Sequence, residues 1–220
     1  MQKSTEKILE SNFAKHVIKF TDLMHILNKN NSACYSAVNK VLNKKELIQL
    51  KRGLYVITPK YQSKYFSVFY LANQITPFSY VTAESALAFH GWIPEQVKGE
   101  VINISPNGRN RDFTTIFGKF IYKAPPINKA NFMEGVTIVK SSDDHSVLMA
   151  TPLRAIIDYI YLLKLDNVDI DYLINSLRIE FELIKKIKLN QINSLILVYN
   201  SRRVLKFLSI LKKELFNGKN

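Results

Sequence analysis

Cysteine is nearly absent. The 220-residue chain has one, Cys34, and no Cys/His pair at zinc-ligand spacing, so neither a disulfide framework nor a zinc module is expected to hold it together. Long apolar runs are missing too. Stretches such as Leu195 to Tyr199 fall far short of a bilayer span, and nothing in the sequence anchors it in a membrane. The seven glycines are scattered singly, without the GxxxxGK pattern that cradles phosphate, which speaks against the usual nucleotide-binding loops. A Gly-x-Ser-x-Gly elbow and a His-Glu-x-x-His helix are absent as well. Acidic residues are scarce, 18 Asp/Glu against 31 Lys/Arg. Met1 to Lys19 holds four lysines and no uninterrupted apolar stretch, so it is not expected to be a secretory signal, and a cytoplasmic protein is expected.

The composition that remains, 47% apolar and 22% charged, is that of a folded globular protein, and 220 residues suit one large domain or two small ones. The net charge of +13 and pI near 9.7 point to a polyanionic partner, nucleic acid first. The excess is bipolar. Residues 1–60 carry +7, residues 61–150 only +1, and residues 151–220 carry +5.

Three short helical patterns and a small hairpin are read between Ser4 and Ile57. Thr21 and Asp22 offer cap oxygens ahead of the apolar stripe Leu23, Ile26, Leu27, which stops in the polar run Asn28 to Asn31. Ser32 is expected to cap a second helix through Asn43, with Cys34, Val38, Val41 and Leu42 on one face. Cys34 is expected to act as a small buried hydrophobe. Tyr35, Ser36, Asn39, Lys40 and Asn43 occupy the other face. Two short helices joined by a tight turn form the layout whose second helix enters a DNA major groove, where Asn and Ser can bond base edges and Lys40 and Lys44 can meet phosphates. Leu47 to Leu50, Lys51-Arg52-Gly53 and Leu54 to Ile57 read as strand, turn, strand, with Pro59 beyond; such a hairpin is a wing carrying two adjacent cations at its tip.

In the middle, Tyr65 to Ala72 reads as a helix, Tyr80 to Thr82 as extended, and Ala83 to His90 as a helix stopped by Gly91. Val101 to Ile104 is a strand ending in the turn Ser105 to Gly108, and Phe113 to Phe117, Lys119 to Lys123, Val136 to Val139 and Val147 to Ala150 read as further strands. Thr151-Pro152 opens a helix with Ala155, Ile156, Tyr159, Ile160 and Leu163 inward. Helical periodicity continues over Ile170 to Ile179, Phe181 to Ile187 and Ser201 to Phe216, the last with Val204, Leu205, Leu208, Leu211 and Leu215 on one face. Arg202, Arg203, Lys206, Lys212 and Lys213 form a candidate second basic surface there.

Arg52-Gly53-Leu54-Tyr55, then Tyr80 to Gly91 (YVTAESALAFHG), then Ala150 to Asp158 (ATPLRAIID) resemble, in that order and spacing, the AbiEi-family antitoxins of type IV toxin-antitoxin (abortive infection) systems, over about residues 15–165. The resemblance implies an amino-terminal winged helix that represses its own operon, a carboxy-terminal domain that neutralises a nucleotidyltransferase-like toxin, and no catalytic residue. It carries the wing motif onto Lys51, Arg52, Gly53 and Tyr55. Where the family often has a denser basic stretch after the central strand, this chain has Asn107 to Arg111 with two cations.

The sequence thus predicts an α+β protein: a winged helix-turn-helix over residues 1–60 and a small mixed α/β domain with a helical tail over 61–220. The DNA-binding set is Ser32, Tyr35, Ser36, Asn39, Lys40, Asn43, Lys44, Lys51, Arg52 and Tyr55; the expected partners are duplex DNA and a toxin, with no cofactor. Two alternatives stay open: a stand-alone regulator, and a metal-dependent nuclease or transferase built on Asp143-Asp144-His145, a run that reads more simply as a solvated turn. Glu84 and His90 are six apart and do not share a helix face, and His90 is expected to close its helix.

Overall fold

The computed structural model describes residues 1–62, 65–95, 99–106 and 108–217. Asn107, in the turn predicted after the central strand, lies outside them. The protein is a mixed α+β molecule.

The first sixty residues run α1 (Lys3–Glu10), a short 3-10 turn, β1 (Ile18–Lys19), α2 (Phe20–Leu27), α3 (Asn31–Asn43), β2 (Leu47–Lys51) and β3 (Leu54–Ile57). The strands form an antiparallel sheet in the order β1-β3-β2. Burial of Ile8, Ile18, Leu23, Leu27, Cys34, Val38, Val41, Leu47, Tyr55 and Ile57 gives this unit its own core. Asp22 accepts the Lys19 N–H at 2.9 Å at the start of α2, and Asn28 ends the helix in the left-handed region at φ 50°, a conformation Asn tolerates better than most residues. Between β2 and β3, Gly53 sits at φ 76° and lets a two-residue connection close.

The rest of the chain begins with α4 (Val68–Ile75), β4 (Tyr80–Val81), α5 (Ala83–Phe89), β5 (Glu100–Ile104), β6 (Arg111–Thr115), β7 (Gly118–Lys123), β8 (Val136–Lys140) and β9 (Ser146–Ala150). These strands make a six-stranded mixed sheet in the order β6-β7-β5-β4-β9-β8, with β5-β7 and β4-β9 parallel. Helices α6 (Pro152–Leu162), α7 (Ile170–Asn175), α8 (Phe181–Ile184), α9 (Leu189–Leu195) and α10 (Arg202–Lys212) follow.

Three expectations about the helices change. Helix α6 buries Leu153, Arg154, Ala155, Ile156, Ile157, Asp158 and Ile160, while Tyr159 is half-buried and Leu163 exposed. Its buried polar pair explains the difference. The Arg154 guanidinium bonds Asp158 at 2.9 Å, the Glu134 carbonyl and the Tyr80 hydroxyl; Asp158 also accepts from Thr82 and Tyr199. Burial pulls the Arg154 pKa down, but Asp158, Tyr80 and Tyr199 outweigh it and hold the guanidinium charged. On α10, Phe207 takes the core place predicted for Leu205, which faces solvent, and the predicted helix ends at Lys212, giving way to one π turn over Lys213–Asn217. The predicted helices over Ile170 to Ile187 are shorter, separated by the left-handed Arg178 at φ 54°.

The two parts share packing. Leu50, Leu54 and Val56 of the hairpin belong to the core formed with α4 and the six-stranded sheet. Strand β3 is therefore covered on both faces, and all four of its residues are buried.

Candidate nucleic-acid interface

Helices α2 and α3 are joined by Asn28, Lys29 and Asn30. The Asn30 side chain accepts the Ala33 N–H at 2.9 Å and caps α3, the role predicted for Ser32, which lies inside the first turn and faces out. Cys34, Val38 and Val41 anchor the inner face. Asn31, Ser32, Tyr35, Ser36, Asn39, Lys40 and Asn43 are all exposed, so the predicted polar face is open to solvent along the whole 13-residue helix. Tyr35 is held by a stacked contact with Phe20, ring centroids 4.1 Å apart, which places its ring without hiding it. Lys44 ends the helix and is exposed, as are Lys29 and Asn31 from the predicted polar turn. The first turn of any helix leaves backbone N–H groups without intrahelical acceptors, which favours a phosphate beside this end of α3.

The hairpin divides its predicted residues. Arg52 is exposed at the tip and makes no ion pair among the described residues. Lys51 does not join it: its ammonium donates to the Ile75 carbonyl at the end of α4, and burial, then nearby Arg111, lower its pKa. Tyr55 does not join it either. It is 3% exposed in the amino-terminal core, because its strand is the central one of three, and burial raises its pKa. The cationic tip therefore consists of Arg52, with exposed Arg111 of β6 close enough to influence Lys51.

The carboxy-terminal cations are largely engaged. Arg203 Nε lies 2.7 Å from Asp166, Lys206 bonds Asn167 at 2.6 Å, and Lys212 reaches Asn193 at 3.4 Å. Arg202 and Lys213 are exposed. Arg202, Arg203 and Lys206 line an open cavity of about 540 Å³ together with Asp166, Asn167 and Ser201.

Asp143 is not a free metal ligand. It accepts the Ser67 N–H at 2.9 Å and the Ser141 hydroxyl, and faces His145 Nδ1 at 2.9 Å. Burial raises its carboxyl pKa, but those partners outweigh it and hold the group below its ordinary value. Among the described residues no group of three or more His, Cys, Asp or Glu is arranged to hold a metal ion. His90 closes α5, its Nε2 2.9 Å from the Ala150 carbonyl. Among the described residues no helix is long and apolar enough to cross a membrane.

No family model matches the chain. No curated protein matches it. Among solved structures it is similar to the RV2827C protein from Mycobacterium tuberculosis, with a TM-score of 0.62 and 12% identity, over 96% of this chain and 78% of that one. The likeness is one of fold.

Proposed function

We propose that the protein is a DNA-binding transcriptional repressor whose first sixty residues act as a winged helix-turn-helix, with α3 in the major groove and Arg52 on an adjacent phosphate. The observation that carries this reading is the outer face of α3. Ser32, Ser36, Asn39 and Asn43 offer base-edge donors and acceptors, Lys40 and Lys44 offer charge, and all six stand exposed. Replacing Asn39 and Lys40 together by alanine is expected to weaken binding to the chain's own upstream DNA by tenfold or more, since each base-specific hydrogen-bonding pair supplies on the order of 1–3 kcal/mol. Binding to a random duplex falls less. Equal weakening on both, read by fluorescence anisotropy, would remove α3 from the specific interface.

The resemblance to AbiEi-family antitoxins supports the further proposal that residues 61–220 neutralise a nucleotidyltransferase-like toxin in the cytoplasm. Co-expression with the adjacent open reading frame tests it. Growth arrest by that frame alone, relieved by this chain, is the expected result; a frame that is harmless alone leaves a stand-alone regulator.

A further inference from the structure

The basic surface at the start of α10 has no part in DNA contact by α3, and its charges are arranged at a cost to the helix. Arg202, Arg203 and Lys206 fall within its first five residues. Aligned peptide dipoles make a helix start partly positive and favour acidic side chains there, yet the first turn of α10 has none. Arg202 and Lys206 are four apart and Arg203 and Lys206 three apart, so like charges also neighbour one another along the helix. Packing does not call for them. Val204, Phe207 and Leu208 form the buried face, and all three cations are exposed.

The fold nevertheless gathers the three around one concavity. Asp166 and Asn167 are consecutive in the connection from α6 to α7, with Asn167 in the left-handed region at φ 57°; they accept from Arg203 Nε at 2.7 Å and Lys206 Nζ at 2.6 Å. Each bond uses one N–H. The terminal nitrogens of Arg203 and the other ammonium protons of Lys206 are left to donate, and Arg202 has no partner among the described residues. With Ser201 these side chains line the open cavity of about 540 Å³, within the size range of small-ligand sites. Among the described lining residues three cations face one carboxylate, and none is aromatic or aliphatic.

We infer that this cavity binds phosphate groups through Arg202, Arg203 and Lys206, carried by a free polyphosphate or nucleotide or by the backbone of a nucleic-acid strand. A guanidinium presents paired N–H groups that match two phosphate oxygens, and an ammonium adds a compact charge. A bound anion also relieves the like-charge crowding at the helix start. With no ring or apolar side chain among the described lining residues to meet a base, the site recognises the phosphate and is indifferent to what it is attached to. It is separate from α3, so its occupancy is read without the upstream duplex and does not depend on repression.

Isothermal titration calorimetry of the full chain at low salt tests it, with adenosine, adenosine 5′-triphosphate, inorganic tripolyphosphate and a short single-stranded oligonucleotide as probes. Saturable binding is expected for a phosphate-bearing probe and none for adenosine. Equal affinity for the triphosphate and tripolyphosphate makes a free polyphosphate the source; binding of the oligonucleotide alone makes it a strand backbone. Arg202→Ala with Lys206→Ala is expected to weaken whichever probe binds at least about tenfold, the loss of two charged hydrogen-bond donors. Without ligand the melting temperature of that variant holds or rises, because like charges at the helix start are gone. Arg202→Gln alone, at a side chain without a partner in the fold, is expected to weaken binding in the same direction. Lys212→Ala with Lys213→Ala removes the same charge from the far end of α10 and is expected to leave binding unchanged. No saturable heat with any phosphate-bearing probe, adenosine as tight as its triphosphate, undiminished binding by the Arg202 and Lys206 variants, or an equal loss in the Lys212 and Lys213 pair overturns the assignment.

Discussion

Lys51 and Arg52 are neighbours in sequence, yet one is consumed by the fold and the other is presented to solvent. The Lys51 ammonium holds the Ile75 carbonyl, whereas Arg52 stands clear at the tip of the turn. Measured against upstream DNA, Arg52→Ala should therefore reduce the log-log salt slope by about 0.9, the counterion release of one phosphate contact. Lys51→Ala should leave the slope unchanged and lower the melting temperature, because it strips a partly buried carbonyl of its donor. A slope change for Lys51→Ala of the same size would put its ammonium on DNA. His90 supplies a pH signature. Burial lowers its pKa, and only the bond to the Ala150 carbonyl opposes that, so the folded state takes up a proton less readily than the unfolded chain. Its contribution is complete above the ordinary imidazole range and is lost as pH falls through the lowered folded value. The melting temperature of the wild type is expected to drop more between about pH 7.5 and 5.5 than that of His90→Gln; parallel drops would mean that His90 titrates alike in both states. The sequence places His90 at the helix end but carries no sign of its partner, Ala150, which only the fold brings near.

Helix α3 is the element on which the proposed DNA recognition turns, and its inner and outer faces follow the apolar spacing of Cys34, Val38 and Val41. Its start does not follow the nearest hydroxyl. Asn30 reaches the Ala33 N–H, and Asn30→Ala is expected to cost about 1 kcal/mol of stability in chemical denaturation. Ser32→Ala should cost almost nothing; the reverse order would return the cap to Ser32. The strands of the six-stranded sheet are legible because short β-branched and aromatic runs are bounded by turn residues, as at Val101 to Ile104 before Ser105-Pro106. Strand β1 is not, since two residues carry no period. Its pairing with β3 is what puts Tyr55 inside, so an unreadable element decides the fate of a predicted DNA-binding residue. Nor is the helical tail fully legible. In α6 the motif Arg154 to Asp158 looks like a charged, outward i,i+4 pair, and only Tyr80, Thr82 and Tyr199 from distant segments make its burial tolerable.

At the scale of the whole molecule, the boundary near residue 60 that composition suggests is a change of charge more than a break in packing. Leu50, Leu54 and Val56 tie the hairpin into the larger core, and Tyr70 stacks on His145 beside His16 from the amino-terminal part. The hairpin is thus fixed against the sheet, while the outer face of α3 is left bare. A net charge of +13 gives any duplex some attraction at low salt, so affinity alone cannot identify an operator; the difference between sequences can. The most direct measurement is fluorescence anisotropy of the full chain on its own upstream DNA and on a scrambled duplex of equal length, from about 50 to 200 mM salt. Both affinities are expected to fall with salt while the upstream duplex stays at least about 10³-fold tighter. Equal affinity for the two duplexes at every salt concentration would contradict sequence recognition by α3.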